Sequence, residues 1–233
     1  MKLTVFSAGA AQAFVLALAP EFEREFAVAL DCTFGAVGSL MEKIAAGAMA
    51  DVVVLSRPLI DELAACGRVR PDGRTDLGRV RTGIAVPLAT GPLPDVTTRA
   101  SLSSALREAD EIYFPDPQRA TAGIHFMRVV ATLGLTEELQ ARLRSFPNGA
   151  TAMRELALAR GGRAIGCTQV TEIIATPDVT LVSALPREFE LATVYSAAVG
   201  TTVSDLAVTQ HLVERLTGSS SRSLRARAGF EAD

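Results

Sequence analysis

The sequence predicts an α/β protein of two lobes, each a mainly parallel sheet flanked by helices. Three observations point to it. Short apolar runs of strand length alternate with stretches of helical spacing from the first residues onward. A polar Gly/Arg/Asp stretch, Gly67 to Gly78, breaks that alternation once, and a second alternating unit starts near Ser101. Small-residue loops follow several of the strand-like runs and open helices, as loops at the carboxyl edge of a parallel sheet do.

In order, Leu3–Ser7 reads as a buried strand, and Ala10–Phe26 carries Phe14, Leu18, Phe22 and Phe26 at helical spacing. Pro20 falls inside that stripe and predicts a break or a fresh helix start. Val28–Phe34 is a second strand. The loop Gly35–Gly38 leads to a short helix from Ser39 to Ala46, with Ser39 as its N-cap. Asp51–Leu55 and Pro58–Ala65 are the third strand and helix, closed by Gly67. Val80–Leu88 is long enough to cross between lobes, and the Pro/Gly/Thr segment Thr90–Thr98 follows it. Then come helix Ser101–Ala109, strand Glu111–Phe114, helices Ala122–Leu133, Thr136–Arg144 and Thr151–Arg160, and strand Arg163–Thr168. Val179–Leu185 and Leu191–Gly200 read as strands returning to the first lobe. Val203–Leu216 and Ser219–Ala228 are terminal helices, the last capped by a serine of the Ser219–Ser221 run. The lobes expected are 1–82 with 195–233, and 83–194.

The 233 residues carry 48% hydrophobic and 21% charged types, a balance that excludes a disordered chain. Net charge is −3 and the isoelectric point is about 5.5, which argues against nucleic acid as a partner. Trp is absent and aromatics are 5%, too few for stacking platforms. All basic residues but Lys2 and Lys43 are Arg, so bidentate anion clamps are plentiful. Three widely spaced cysteines, no CxxC and two histidines speak against a metal, and no cofactor is expected. The odd cysteine count reads as buried free thiols of a reducing compartment, with one disulfide plus one thiol as the alternative. No apolar run is long enough to cross a membrane. The N-terminus, with Lys2 and Ala11-Gln12-Ala13, reads as a first strand in preference to an export leader. A cytoplasmic location follows, or a periplasmic one if a leader was removed.

Three loops have the chemistry of an anion site. Ser7-Ala8-Gly9-Ala10 brings backbone N–H groups close to a ligand and adds a hydroxyl. Gly38-Ser39 opens another helix, and Arg119, Thr121 and Ala122 open a third with a fixed positive charge. No Walker loop or GxGxxG occurs, so nucleotide binding is not supported. Candidates for catalysis are thin. Glu172 is either a general base or the cap of a short helix, His125 lies on an apolar helix, and Cys167 ends a strand. Each also has a purely structural reading.

The succession Val5–Ala10, Phe34–Leu40 and Glu42–Leu55, with Asp116-Pro117, Ala122–Ile124 and Gly166–Glu172, resembles the molybdate-binding protein of ABC importers from Leu3 to about Thr217. The resemblance implies a type II periplasmic-binding-protein fold. It also implies a small oxyanion held without metal by hydroxyls and backbone amides in the cleft between two lobes. Carried over, it adds Asn148, Gly149 and Gln169 to the ligand-lining set. The sequence departs from that family at Ala10, at Ala36–Gly38 and at Gln169, where hydroxyls are replaced. Each unmet acceptor of a dianion would cost about 1–3 kcal/mol. Phe34–Gly38, Gln169–Ile173 and Thr193–Ala197 are more similar to a subgroup that includes bacterial aconitate isomerase. The expected ligand is therefore a small organic carboxylate. Two alternatives stand beside this binding function: a cofactor-independent isomerase of an unsaturated tricarboxylate on the same fold, and a molybdate or tungstate receptor. A monomer is expected, with an ABC permease as partner if the protein is exported.

Overall fold

The computed structural model describes residues 1–88, 92–160 and 162–231. Part of the predicted Thr90–Thr98 segment, residues 90 and 91, lies outside them. The chain divides into two compact units, Met1–Val80 with Thr193–Asp233, and Arg81–Ala192. It passes between them twice, at Val80–Arg81 and at Ala192–Thr193.

The first unit is built on β1 (Lys2–Ala8), β2 (Ala29–Gly35), β3 (Val52–Ser56) and β9 (Ala192–Val199). Their order is β2-β1-β3-β9, with β1 parallel to both neighbours and β9 antiparallel to β3. Strand β3 is buried along its whole length, which is why it reads as a continuous Val/Leu run without alternation. A 3₁₀ turn (Gly9–Ala11), α1 (Gln12–Phe26), α2 (Val37–Ala45) and α3 (Arg57–Ala65) connect the strands. Helix α1 buries Phe14, Leu18 and Phe22, the predicted stripe, in one core with Leu40, Ile60 and Tyr195. Pro20 does not break it. Pro20 and Leu16 are both exposed, so the Leu16 carbonyl left without a donor faces water. The chain ends in α9 (Leu206–Thr217), a 3₁₀ turn (Ser219–Ser221) and α10 (Arg222–Arg227). Ser221 stands at the α10 N-cap, but its hydroxyl donates to the Arg215 carbonyl and caps nothing.

The second unit holds the second part of β4 (Thr75–Pro87) with β5 (Glu111–Pro115), β6 (Leu143–Phe146), β7 (Ala164–Gln169) and β8 (Val179–Ala184). The order is β6-β5-β7-β4-β8. Strand β5 is parallel to β6 and β7, while β4 is antiparallel to β7 and β8. Helices α4 (Arg99–Glu108), α5 (Thr121–Thr132), α6 (Thr136–Leu139), α7 (Gly149–Ala157) and α8 (Val170–Ile174) complete it. Leu102, Leu106, Ile112, Phe126 and Ile165 form one core cluster, and Met153, Leu156 and Ile173 another.

Three expectations are corrected. The last third of the polar stretch expected to interrupt the alternation, Thr75–Gly78, is already strand β4. The helix expected over Thr136–Arg144 stops at Leu139, and Leu143–Phe146 is the edge strand β6. Its polar Arg144 and Ser145 are tolerated because an edge strand is half solvated. Strand β8 does not return to the first unit; it pairs with β4 in the second.

Candidate functional site

In the first unit the register places three strand ends together. Ala8 pairs with Gly35 across β1–β2, and Ser7 pairs with Val54 across β1–β3. The loops after β1, β2 and β3 therefore leave one edge of the sheet side by side. Ser7 is fully buried, and its hydroxyl donates to the Ala8 carbonyl at 3.2 Å. Gly9 and the buried Ala10 form the 3₁₀ turn, whose N-cap Ala8 has no side-chain acceptor. Helix α2 starts two residues earlier than expected. Its N-cap is Ala36, again without a side-chain cap, so Gly38 and Ser39 lie inside the first turn. The Ser39 N-cap is thus corrected: Ala36 already has the extended backbone of a cap (φ −63°, ψ 143°).

The third loop of this edge, Ser56–Arg57, escaped the reading of the sequence. Ser56 is the buried N-cap of α3, and Arg57 forms a two-point ion pair with Asp76. Asp76 also accepts a hydrogen bond from the fully buried Ser196 of β9. Burial pushes the Asp76 carboxyl up. The hydrogen bonds from Arg57 and Ser196, with the Arg57 charge, outweigh that and hold it below its usual range. The Ser-Arg-Pro run carried a signal, because serine before a first-turn proline marks a helix start.

In the second unit the parallel register of β5 with β6 and β7 likewise gathers strand ends, with Pro115 beside Phe146 and Tyr113 beside Gly166. Asp116 shapes the first loop. Its Oδ1 accepts the N–H groups of Gln118 (2.7 Å) and Arg119 (3.0 Å). Arg119 is half exposed and lies 3.7 Å from the Asp116 carboxylate. Thr121 is the first residue of α5, behind an Ala120 N-cap with no side-chain acceptor. Ala122 is buried. Gly123 is required, since a Cβ there would overlap the Pro115 and Asp116 carbonyl oxygens.

The second loop of this unit differs. Asn148 caps α7, its Oδ1 accepting the Thr151 N–H at 2.9 Å. Gly149 lies against Glu172 and Thr168, and a Cβ would overlap Glu172 Oε2 and Thr168 Oγ1. Glu172 is 7% exposed. Its carboxyl group accepts from the Thr168 hydroxyl (2.6 Å), and the N–H groups of Gln169, Ala150 and Gly149 favour its charged form. Burial outweighs these donors and raises its pKa. Gln169, 3% exposed, ends β7 and is the N-cap residue of α8.

The other two candidates are engaged elsewhere. His125 Nε2 lies 2.7 Å from the Phe189 carbonyl. Cys167 is buried in β7, and desolvation raises its thiol pKa. All three cysteines are free thiols, but only Cys167 is fully buried; Cys32 is half-buried and Cys66 exposed, against the expectation of buried thiols. Thr82 is a residue that sequence reasoning missed. It stands directly opposite Gln169 in the β4–β7 ladder, so the two side chains share a face. Thr82 is 1% exposed, and its hydroxyl makes no hydrogen bond among the described residues. A threonine inside a strand gives no such signal; the register does.

A sequence profile of the bacterial extracellular solute-binding proteins matches residues 3–231. Among curated relatives, an aconitate isomerase of a Pseudomonas species is 27% identical over 202 residues, 84% of this chain and 74% of the relative. The periplasmic molybdate-binding protein of Azotobacter vinelandii superposes with a TM-score of 0.81 at 18% identity, covering 99% of both chains. A sulfate-binding protein of Mycobacterium tuberculosis gives 0.77 at 19% identity, covering 100% of this chain and 87% of its own. These likenesses establish the type II periplasmic-binding-protein fold. With the profile spanning nearly the whole sequence, the chain belongs to the bacterial extracellular solute-binding proteins.

Proposed function

We propose that this protein binds a small organic carboxylate through first-turn N–H groups and hydroxyls at the strand ends of each unit. The carrying observation is a contrast in helix capping. Helices α4, α7 and α9 are capped by Thr98, Asn148 and Asp205. The 3₁₀ turn, α2 and α5, which open the three loops of anion-site chemistry, begin on Ala8, Ala36 and Ala120 without side-chain caps. Their first-turn N–H groups are left to water or to an anion. A carboxylate has two acceptor oxygens to satisfy, whereas a tetrahedral dianion has four. The missing hydroxyls at Ala10 and Gln169 therefore weigh less against a carboxylate. The aconitate isomerase relative supports the same ligand class.

Ser7, Gly9, Ala10, Gly38 and Ser39 are the proposed contacts of the first unit. Arg119, Thr121, Ala122 and Gln169 are those of the second, with Thr82 added. An isomerase is the second reading, favoured by the 27% identity to aconitate isomerase. Binding comes first, because Cys167 is buried, His125 Nε2 faces a carbonyl, and Glu172 is buried and already bonded to the Thr168 hydroxyl. The family's description as extracellular supports a periplasmic setting with an ABC permease over a cytoplasmic one.

Isothermal titration of the purified protein with cis- and trans-aconitate, citrate, succinate, molybdate and sulfate tests the reading. A carboxylate should bind with the highest affinity. Tighter binding of molybdate than of every carboxylate would overturn it. Proton NMR of cis-aconitate with the protein then separates binder from isomerase: a growing trans signal makes it an enzyme.

A further inference from the structure

Glu172 is a buried carboxyl group placed where the starts of two helices, α7 and α8, come together. It is the third residue of α8, and it accepts the N–H of that helix's N-cap, Gln169, as the acidic member of a capping box does. The same carboxyl group accepts the Thr168 hydroxyl at 2.6 Å and lies against Gly149, the first residue of α7, where the Gly149 and Ala150 N–H groups favour its charged form. Gly149 has no Cβ where one would strike Glu172 Oε2. The groups that face this carboxyl among the described residues are uncharged N–H and O–H groups, as at the start of a helix that receives an acceptor.

We infer that Glu172 is a positioning residue whose carboxyl group acts as a built-in acceptor, occupying the start of α7 and locking it to the β7–α8 turn. Two consequences follow. The α7 start is removed from the set of donors open to an external anion, so Gly149 supports Glu172 and does not contact ligand. The backbone of Gln169 is held from behind, which fixes where its side chain and Thr82 present their polar atoms. This last step rests on the proposed carboxylate-binding reading; the occupancy of α7 does not.

The test uses Glu172→Ala, Glu172→Gln and the unaltered protein, with formate as the probe because it replaces the removed carboxylate. Thermal melts are run in 0–200 mM sodium formate against sodium chloride at equal ionic strength. Glu172→Ala should melt lower than the unaltered protein and regain several degrees in formate with a saturating dependence. The unaltered protein and Glu172→Gln, whose α7 start is filled, should show a clearly smaller formate response. Equal formate responses in all three proteins would overturn the inference. If Glu172→Ala does not fold, amide exchange of Glu172→Gln decides. Gly149, Ala150 and Gln169 should exchange at least tenfold faster than in the unaltered protein, and unchanged protection there would overturn it. Carboxylate titration of the unaltered protein tests the function separately, so either idea can fail alone.

Discussion

Replacing Gly149 by alanine sets helix propensity against packing, and the two predict opposite signs. Gly149 is the first residue of α7, and its backbone carries no positive φ that would require glycine. Propensity alone therefore predicts that alanine stabilises by about 0.5–1 kcal/mol. The structure predicts the reverse, because the new methyl would occupy the space of Glu172 Oε2 and Thr168 Oγ1. Neither group can retreat at low cost: Thr168 is fully buried in β7, and Glu172 is buried and bonded to the Thr168 hydroxyl at 2.6 Å. Overpacking of this kind costs about 1–3 kcal/mol. Pushing the carboxyl group off its donors leaves buried polar atoms unsatisfied, at about 1–3 kcal/mol. Subtracting the propensity gain leaves a net loss of roughly 1–5 kcal/mol. For a chain of this size that lowers the melting temperature by roughly 2–20 °C. Circular dichroism melts of the two proteins at pH 7.5 measure it. A Gly149→Ala protein as stable as the unaltered one, or more stable, would refute the placement of Glu172 against α7.

Other outcomes follow from the same geometry. Ser196→Ala removes one buried hydrogen bond to Asp76 and should cost about 0.5–1.5 kcal/mol in urea unfolding at pH 7. Because the folded Asp76 pKa lies below its unfolded value, that bond stabilises above the ordinary carboxylate range and is lost as pH falls through the lowered pKa. The difference between the two proteins should therefore shrink at pH 2–3. Thr82→Val keeps the shape and deletes a buried hydroxyl that has no partner among the described residues, so stability should hold or rise by up to about 1–3 kcal/mol. A clear loss would mean that the hydroxyl has a partner. In the thiol-disulfide reagent assay on native protein at pH 7.5, exposed Cys66 should react fast and half-buried Cys32 slowly, its pKa pushed up to about 11 chiefly by burial. Cys167 should react only after unfolding.

Much of the fold is legible in the chain because local patterns specify it. The Phe14, Leu18, Phe22 stripe fixes a helix face, and the unbroken Val52–Leu55 run marks a strand buried on both sides. Small residues after β1, β2 and β5 mark loops where backbone must come close to something, and those loops do lie at strand ends. Pro20 shows where local rules stop. A proline removes one helix hydrogen bond and crowds the carbonyl four residues back, but on the exposed side of α1 the packed stripe keeps the helix whole. Leu143–Phe146 shows the same limit for strands. Its composition is neutral, and only pairing with β5 makes it a strand.

The sequence by itself determined the α/β class, the order of nearly all elements and the three loops with the chemistry to meet an anion. These are properties of neighbours along the chain, set by periodicity and by the small residues that let backbone approach. Only the tertiary structure decided what each polar side chain does. Glu172 reads equally as a base or a cap until the β7–α8 turn and α7 are brought together; then its carboxyl group lies against Gly149 and bonds the Thr168 hydroxyl. Asp76 and Ser196, 120 residues apart, become partners only when β4 and β9 meet in one unit. The physical reason is common to both. A buried polar group must find its partner in space, and the partner's distance along the chain leaves no trace in composition or spacing.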